Sequence, residues 1–403
     1  MKKAYYSIPA LVVAFAVCAV FGIQNLVQIV RQESFSPVNR IAFHLMDYYD
    51  YYRASRQLFM PDSGVYSVQR YVTPPVAAVI NYPLSKIPFR NAGKIIVFFM
   101  MISVCAVMYF SIKSFFPKYS DGPSSYIFNR VGIYSALTLI VLFSYPFYFL
   151  FDRGNIDWLV LLVVWGGVVM YKHKYSLPAG LLWGVGVCLK LYPVLLLIPV
   201  IVHRKWKVLA GMISSTAFFI AVCPGLWLVF LKNRILSRAH YFRIDENASL
   251  ANTIYYLSKL LHLPLTGDNI FRFSIIIYGL LLLAMFITML RRKNRGSFLI
   301  DSLLFVPFML MIPHTVYAYE LIFLIPMIPF YCYLWATQST RQNLTTVVYI
   351  ILFLGLIITQ IQAVVWEHLI RSKLPHFLPS IGLFTVAVCS VFLINIYEHE
   401  NNQ

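Results

Sequence analysis

The chain has few charged side chains for its length. Only 12% of its 403 residues are charged, whereas a soluble globular domain averages about 25%. Hydrophobic residues make up 60% of the chain, and apolar runs of roughly 18 residues or more, long enough to cross a lipid core, recur along it. The shortage of charge excludes a large soluble domain. The apolar runs predict an all-α polytopic membrane protein with one integral membrane domain, residues 1–403.

Acidic residues are scarcer than basic ones. The chain has 15 Asp and Glu against 33 Lys and Arg, which gives a formal net charge of +18. Such an excess can indicate nucleic-acid binding, but no zinc-finger, helix-turn-helix or RNA-binding signature accompanies it. Basic loops on the cytoplasmic side of a membrane explain the charge, so we expect membrane lipids as partners and no nucleic acid.

Several motifs that bind metals or nucleotides are missing. The six cysteines stand singly inside apolar runs, without metal-ligand spacing, which favours a packing role. The sequence contains no Walker A, GxGxxG or Asp-x-Asp motif. We therefore expect neither a metal nor a cofactor.

The apolar runs predict helices along the whole chain. The first run continues to Val30, too long for a signal peptide, and predicts an uncleaved first helix. Segment 176–202 contains Lys190 and Pro193, and it predicts either a hairpin of two short helices or one kinked helix. The predicted helices cover 8–30, 95–116, 131–151, 156–171, 177–189, 193–202, 207–231, 270–290, 298–312, 320–337, 344–366 and 377–396.

The basic loops set the expected orientation. Loops such as 172–174, 203–207 and 291–295 are basic and fall on one side of the membrane, together with the N-terminus. The positive-inside rule makes this side cytoplasmic in a cell-membrane protein. Two long outer loops, 32–94 and 232–269, then carry much of the polar chemistry. Of the 15 acids, 11 lie on the outer side: Glu33, Asp47, Asp50, Asp62, Asp152, Asp157, Asp245, Glu246, Asp268, Glu320 and Glu367.

The first outer loop opens with MDYYDYYRAS, residues 46–55. Asp47 and Asp50 either solvate the top of the preceding helix, or one of them lies within reach of a lipid headgroup. Further along the loop, a short apolar stretch at 76–82, bounded by prolines, predicts a helix lying in the membrane interface.

Two further outer positions combine charge with apolar surroundings. In DRGNID, residues 152–157, Arg153 either forms a local salt bridge with the neighbouring carboxylates or binds a ligand. Lys190 interrupts the helix of 176–202, and either a phosphate partner or snorkelling to the interface explains it.

Polar groups also precede two later helices. Asn247 and Ser249 are candidate caps for the helix that follows them. His314, Tyr319 and Glu320 lie at the outer end of another span, where His314 is either structural or a donor to phosphate.

The order of these motifs resembles glycosyltransferase family 87 between about residue 45 and residue 330. The motifs that carry the resemblance are DYYDYYRA (47–54), GVY (64–66), YVTPP (71–75), YPLSKIP (82–88), RGNID (153–157), LKLYP (189–193), ENASL (246–250) and PHTVYAYELIFLIP (313–326). The resemblance implies a C-type glycosyltransferase-like bundle of about 10–12 transmembrane helices with outer-face interfacial helices.

The resemblance also implies a reaction. Family members move mannose from a polyprenyl-phosphate carrier to a lipid or glycan acceptor with inversion, on the extracytoplasmic face. The family pattern places the general base on Asp47, with Tyr51 four residues later, and leaves Asp50 as the second choice. One departure is visible, because Ala318 and Tyr319 occupy the positions of a histidine pair and His314 lies nearer the proline.

On this interpretation, cations would stabilise the leaving phosphate, and polar or aromatic side chains would border the substrates. The phosphate ligands are then Lys190, Arg153 and His314, and the substrate-binding residues are Tyr51, Tyr71, Asn155, Asn247, Ser249, Tyr319 and Glu320. The alternative functions are a transporter or lipid-carrier flippase of envelope glycan synthesis, or a non-catalytic envelope scaffold. A transporter places its ionisable groups near the midplane, whereas most acids here fall in outer loops.

Overall fold

The structure is a computed structural model. It describes residues 45–59, 65–68, 71, 73–115, 144–232, 249–292, 297–311, 318–337, 342–360 and 378–400. These ranges consist of α-helices joined by 3-10 turns and short loops, and they contain no strand. The prediction of an all-α membrane protein is therefore confirmed.

Among the described residues, two helices are long and apolar enough to cross a membrane, namely α3 (Phe89–Phe115) and α11 (Gly267–Arg292). Both expose large apolar side chains; Phe98 and Leu280 are each 61% exposed. This pattern suits helices that face lipid, where apolar surface needs no protein cover. Most other apolar helices are shorter. The predicted helix at 8–30 and most of the one at 131–151 lie outside the described residues, so the total of about 10–12 spans stays a prediction.

The contacts of the chain divide it into two compact units. We call them unit I (Pro37–Val107 and Phe149–Tyr241) and unit II (Met1–Ser36, Met108–Tyr148 and Phe242–Gln403). The α-helices before residue 249 are α1 (Met46–Arg56), α2 (Val76–Asn81), α3, α4 (Tyr145–Arg153), α5 (Asp157–Lys172), α6 (Ser176–Leu189), α7 (Leu197–Val202), α8 (Trp206–Val222) and α9 (Pro224–Phe230).

The helical pair α6 and α8 packs closely in unit I. A Cβ atom on Gly180 would lie 2.0 Å from the Val208 carbonyl oxygen, and one on Gly184 would lie 2.0 Å from Ser215 Oγ. From α8, Gly211 meets the backbone of α6 in the same way. Small residues four apart let two backbones approach and gain van der Waals contact, which drives helix association where lipid removes the hydrophobic force.

The break that Lys190 introduces in segment 176–202 is confirmed. Helix α6 ends at Leu189, and Lys190 takes an extended conformation with φ −147° and ψ 139°. A 3-10 turn, Tyr192–Leu196, follows and leads into α7. Pro193 stands early in that turn, where its missing N–H costs no helical hydrogen bond. The chain therefore presents the Lys190 side chain from a gap between two helices.

The prediction of one helix over 207–231 is wrong. Helices α8 and α9 are bent by 98° at a break beside Cys223. Pro224 is the cause, because it has no N–H for the helical ladder and disfavours a helical conformation in the residue before it. Other predicted limits are also shifted; α3 begins at Phe89 rather than 95, directly after Pro88.

Unit II contains the remaining helices of the described residues. They are α10 (Leu250–Leu260), α11, α12 (Phe298–Leu304), α13 (Val306–Leu310), α14 (Met327–Thr337), α15 (Gln342–Gln360) and α16 (Leu378–Glu400), with a 3-10 turn at Ala318–Leu324. Helices α15 and α16 meet at Gly355 and Gly382, where a Cβ on Gly382 would lie 2.7 Å from the Gly355 oxygen. A buried ion pair joins Arg292 Nη1 to Asp301 Oδ1 at 3.4 Å.

Candidate active site

Helix α1 places Asp47 at the edge of the packed part of unit I. Its exposed face carries Met46, Tyr49, Arg53 and Arg56 at helical spacing, and the opposite face buries tyrosines. The buried face is anchored at two points: Ser55 Oγ donates to the Ala78 oxygen of α2 at 2.8 Å, and Tyr52 Oη donates to the Ile87 oxygen at 2.8 Å. These bonds fix the helix that carries Asp47. The sequence predicted polar aromatic character here, but it did not predict α1 as an element.

The turn between α4 and α5 approaches α1 closely. Gly154 has φ +62°, a left-handed conformation that favours glycine. A Cβ atom on Gly154 would lie 2.8 Å from Tyr48 Cβ and 2.8 Å from Leu45 Cδ2. Glycine therefore permits both the turn and the contact, and this brings the side chains on either side of Gly154 to the N-terminal end of α1.

Asp47 is held by the two residues that flank Gly154. Arg153 Nη2 lies 2.9 Å from Asp47 Oδ1, and Asn155 Nδ2 donates to Asp47 Oδ2 at 2.7 Å. The Asp47 side chain is 15% exposed and that of Arg153 is 21% exposed. A carboxylate has about four lone-pair positions, and these two contacts occupy one on each oxygen. The arrangement orients the carboxylate and leaves part of it accessible.

A second carboxylate lies beneath this pair. Asp157, in the first turn of α5, has a side chain with 0% exposure. Tyr192 Oη donates to Asp157 Oδ1 at 2.7 Å, and Lys190 Nζ lies 3.3 Å from Asp157 Oδ2. The backbone N–H of Asp157 donates to Asn155 Oδ1 at 3.2 Å. Asn155 thus contacts the Asp47 carboxylate through its Nδ2 and the Asp157 backbone through its Oδ1.

Two tyrosines pack beside the carboxylates. Tyr51 and Tyr71 are both buried, and their rings meet edge to face with centroids 6.0 Å apart. Burial, reinforced by the negative charges of Asp47 and Asp157, raises the pKa of the Tyr51 phenol well above its usual value of 10.0. Burial also raises the pKa of Tyr71. Both phenols stay protonated at physiological pH, so they act as neutral polar groups.

The structure brings together six of the residues that the sequence singled out. They are Asp47, Tyr51, Tyr71, Arg153, Asn155 and Lys190, all in unit I. Asp50 is partly exposed on α1. For Arg153, the contact is an ion pair with a carboxylate distant in sequence. For Lys190, the structure shows a partner that neither sequence interpretation named, the buried Asp157.

The remaining candidates belong to unit II. Ser249 caps α10, because its side chain accepts from the Asn252 N–H at 3.4 Å, as the capping interpretation predicted. Glu320 is buried in the 3-10 turn Ala318–Leu324. Asn247 and His314 lie outside the described residues, as does the side chain of Tyr319.

Sequence reasoning did not assign a site role to Asp157 or Tyr192. Both stand inside strings that were already notable, RGNID and LKLYP. The feature of the sequence that could have pointed to them is Lys190, because an ammonium placed among apolar residues needs a counterion nearby. Which acid supplies it depends on tertiary structure. Within the described ranges, no group of three or more His, Cys, Asp or Glu side chains could hold a metal ion.

Fold and site together define an all-α membrane protein with a polar site built on a partly exposed carboxylate. The chain belongs to glycosyltransferase family 87, whose sequence model matches residues 71–313. No curated protein matches the chain. The match includes Arg153, Asn155, Asp157 and Lys190, whereas Asp47 precedes it. Asp47 nevertheless contacts two residues inside the matched range, so the structure attaches it to the family's part of the chain.

Proposed function

We propose that this membrane glycosyltransferase moves a hexose from a polyprenyl-phosphate carrier to a lipid or glycan acceptor. The hexose that we propose is mannose. The reaction takes place on the extracytoplasmic face of the cell membrane and inverts the anomeric carbon. Membership of family 87 supports sugar transfer between a donor and an acceptor. The lipid carrier follows from the sequence, because a donor used on the outer face is separated from cytoplasmic nucleotides.

Asp47 is the general base in this proposal. Inversion needs a base on the acceptor side of the sugar and a leaving group on the opposite side. The observation that carries the assignment is the pair of contacts from Arg153 at 2.9 Å and Asn155 at 2.7 Å. They fix the orientation of a partly exposed carboxylate, and its remaining lone pairs can accept the proton of an acceptor hydroxyl.

The leaving group is the polyprenyl phosphate, which needs positive charge nearby. The sequence assigned this charge to Arg153, Lys190 and His314. Arg153 Nη2 lies 2.9 Å from Asp47 Oδ1, on the side of the base, so Lys190 is the cation that this proposal places at the phosphate within unit I. His314 lies outside the described residues. Transfer then breaks the bond between the anomeric carbon and the phosphate oxygen, forms the bond to the acceptor oxygen, and leaves the acceptor proton on Asp47. The proposal assigns no metal and no cofactor.

The other assigned residues would border the substrates. Asn155 contacts Asp47 directly, and Tyr51 and Tyr71 are buried with their rings against each other. The sequence also assigned Asn247, Ser249, Tyr319 and Glu320 to substrate binding, and that assignment stays a prediction.

The test is a transfer assay on purified protein in lipid nanodiscs. Polyprenyl-phosphate-linked sugars are added with lipid extracts, and new glycolipids are identified by mass spectrometry. Asp47→Asn should lower the transfer rate by about 100- to 10,000-fold, the usual contribution of a general base. Thermal unfolding of the variant should match that of the unchanged protein.

Asp50→Asn is the matched control, because it removes the same charge from the same helix. It should retain transfer activity. Near-normal activity in Asp47→Asn with loss in Asp50→Asn would move the base to Asp50. Near-normal activity in both would contradict a base on α1. A flippase of lipid carriers, the alternative function, would move the labelled carrier between leaflets without forming a new glycolipid.

A further inference from the structure

We propose that Asp157 is a positioning residue that couples the cation assigned to the donor phosphate with the base. This inference rests on the proposed function and deepens it. Asp157 stands between Lys190, at 3.3 Å, and Asn155, whose Oδ1 accepts from the Asp157 N–H at 3.2 Å. Asn155 in turn holds Asp47 at 2.7 Å. A series of contacts therefore runs from Lys190 to the Asp157 carboxylate, and from the Asp157 backbone N–H through the Asn155 amide to Asp47.

The burial of Asp157 makes its contacts obligatory. Its side chain has 0% exposure, so water cannot replace a lost partner. A carboxylate in such a place is costly unless it is paired and hydrogen-bonded. Tyr192 donates a hydrogen bond to Oδ1 at 2.7 Å, and Lys190 neutralises the charge at 3.3 Å from Oδ2. Both belong to the break after α6, so Asp157 fixes the gap from which Lys190 is presented.

The same residue also fixes the turn that carries Asn155. Asp157 lies in the first turn of α5, where a negative charge interacts favourably with the helix dipole. The Asp157 N–H donates a hydrogen bond to Asn155 Oδ1, and this bond sets the orientation of the amide. The Nδ2 group then points at Asp47. The link to Asn155 runs through the Asp157 backbone, so the side chain acts on that amide by fixing the first turn of α5, whereas it holds the Lys190 ammonium directly.

Asp157 itself touches no substrate in this proposal; it acts through Lys190 and Asn155. The two effects separate kinetically. Displacement of Lys190 should raise the donor KM, and misorientation of Asp47 should lower kcat. A purely structural role would instead reduce the amount of folded protein and leave both constants unchanged for each folded molecule.

The experiment compares Asp157→Asn, Tyr192→Phe and the unchanged protein in nanodiscs. Asp157→Asn keeps the side-chain shape and removes the charge. We expect kcat/KM to fall on the order of 100-fold, as misplacements of about 1 Å can cause. Tyr192→Phe should show a smaller fall of the same kind, because it removes one of the two partners.

Asp301→Asn is the matched control. Asp301 also has 0% side-chain exposure and is paired with a cation, Arg292, at 3.4 Å. Its replacement should lower the melting temperature as Asp157→Asn does. Because Asp301 belongs to unit II and is paired with Arg292 rather than with a residue of the series from Lys190 to Asp47, kcat/KM per folded molecule should stay within about twofold of the unchanged protein.

A double variant separates pairing from positioning. Asp157→Asn with Lys190→Gln replaces the ion pair by two neutral amides, which restores a satisfied buried pair. Thermal stability should recover, and the donor KM should stay high. If kcat/KM recovers together with stability, the pair is only structural and the inference is wrong. Unchanged kcat and KM in folded Asp157→Asn would also overturn it.

A second measurement does not depend on the donor. An experimental structure of the Asp157→Asn variant should show that the contact between Asn155 Nδ2 and Asp47 Oδ2, 2.7 Å here, is broken. If that contact and the Lys190 position are retained, the positioning role is wrong. If the contact is broken while the unchanged protein transfers no sugar from any polyprenyl phosphate, the positioning stands and the proposed donor is wrong.

Discussion

At the scale of single residues, the position of Asp47 depends on Gly154, which has no side chain that could react or bind a ligand. Gly154 lets Arg153 and Asn155 stand on either side of a left-handed turn and face the same carboxylate. It also allows the turn to touch Tyr48 and Leu45 at the start of α1. A larger residue there would push the base away from both of its partners.

The Gly154→Ala variant tests this dependence. The left-handed conformation costs an L-residue about 1–2 kcal/mol, and the added Cβ would lie 2.8 Å from Tyr48 Cβ. We expect a lower melting temperature and a clear loss of transfer activity, measured by thermal unfolding and by the glycolipid assay.

Gly225→Ala is the control for this prediction. Gly225 lies in α9, and a Cβ atom there would meet nothing within 4 Å. The substitution should be neutral or slightly stabilising, because alanine restricts the unfolded chain. Equal losses at Gly154 and Gly225 would contradict the role given to the turn.

The residue scale is also where the sequence predicted least. Asp47, Arg153, Asn155 and Lys190 were identified from outer position and residue type. The contacts that Arg153 and Asn155 make with Asp47 were not, because contacts between residues more than 100 positions apart leave no periodic trace. Asp157 shows this most clearly: its carboxylate became part of the site only through burial and contact with Lys190.

At the scale of elements, close helix packing supports the site in unit I. Helix α6 ends at the break that presents Lys190, and α6 packs on α8 through Gly180 and Gly184. Trp183 Nε1 donates to the Val164 oxygen at 2.9 Å, which ties α6 to α5 as well. The first turn of α5 carries Asp157. The geometry between Lys190 and Asp157 therefore depends on these helix contacts.

Gly184→Leu should separate α6 from α8. Its Cβ alone would lie 2.0 Å from Ser215 Oγ and 2.5 Å from the Met212 oxygen, so one backbone must shift. Overpacking of this kind costs about 1–3 kcal/mol. We expect a lower unfolding midpoint in a chemical denaturation series on detergent-solubilised protein.

Gly279→Leu gives the matched comparison. Gly279 lies within α11, and a Cβ atom there would meet nothing within 4 Å. Leucine at this place should leave the midpoint unchanged or raise it, since leucine favours the helix more than glycine does. If the unfolding midpoint falls equally in both variants, the close α6–α8 contact does not contribute to stability in the way expected.

At this scale the sequence predicted much of the outcome. Most helices lie within a few residues of the predicted limits, because the length of an apolar run is a local property. The bend at Cys223 was missed although Pro224 was visible. Proline inside an apolar run can end a helix or be accommodated, and only the surrounding packing decides which.

At the scale of the whole molecule, charge asymmetry sets the proposed orientation. The excess of 33 basic over 15 acidic residues falls mostly in loops assigned to the cytoplasm. Orientation decides which substrates the site can meet. A site open to the outer face meets lipid-linked sugars, whereas a site open to the cytoplasm meets nucleotide sugars.

Cysteine labelling tests the orientation. Lys86 and Lys207 are both exposed, in an outer and a cytoplasmic loop respectively by our assignment. A membrane-impermeant maleimide should label Lys86→Cys in intact cells, and should label Lys207→Cys only after permeabilisation. The unsubstituted protein, which retains its six native cysteines, gives the background. The reverse pattern would place the site on the cytoplasmic face and contradict the proposed donor.

The amino-acid sequence by itself determined that this chain is a helical membrane protein, which residue types are available for chemistry, and which family it resembles. Those properties are local or compositional: run length, loop charge and motif order. Tertiary structure alone decided that Arg153 and Asn155 hold Asp47, and that Lys190 meets the buried Asp157. The physical reason is that a charge removed from water takes its partner from whatever the fold brings within about 4 Å, and distance in space is not written in the order of residues.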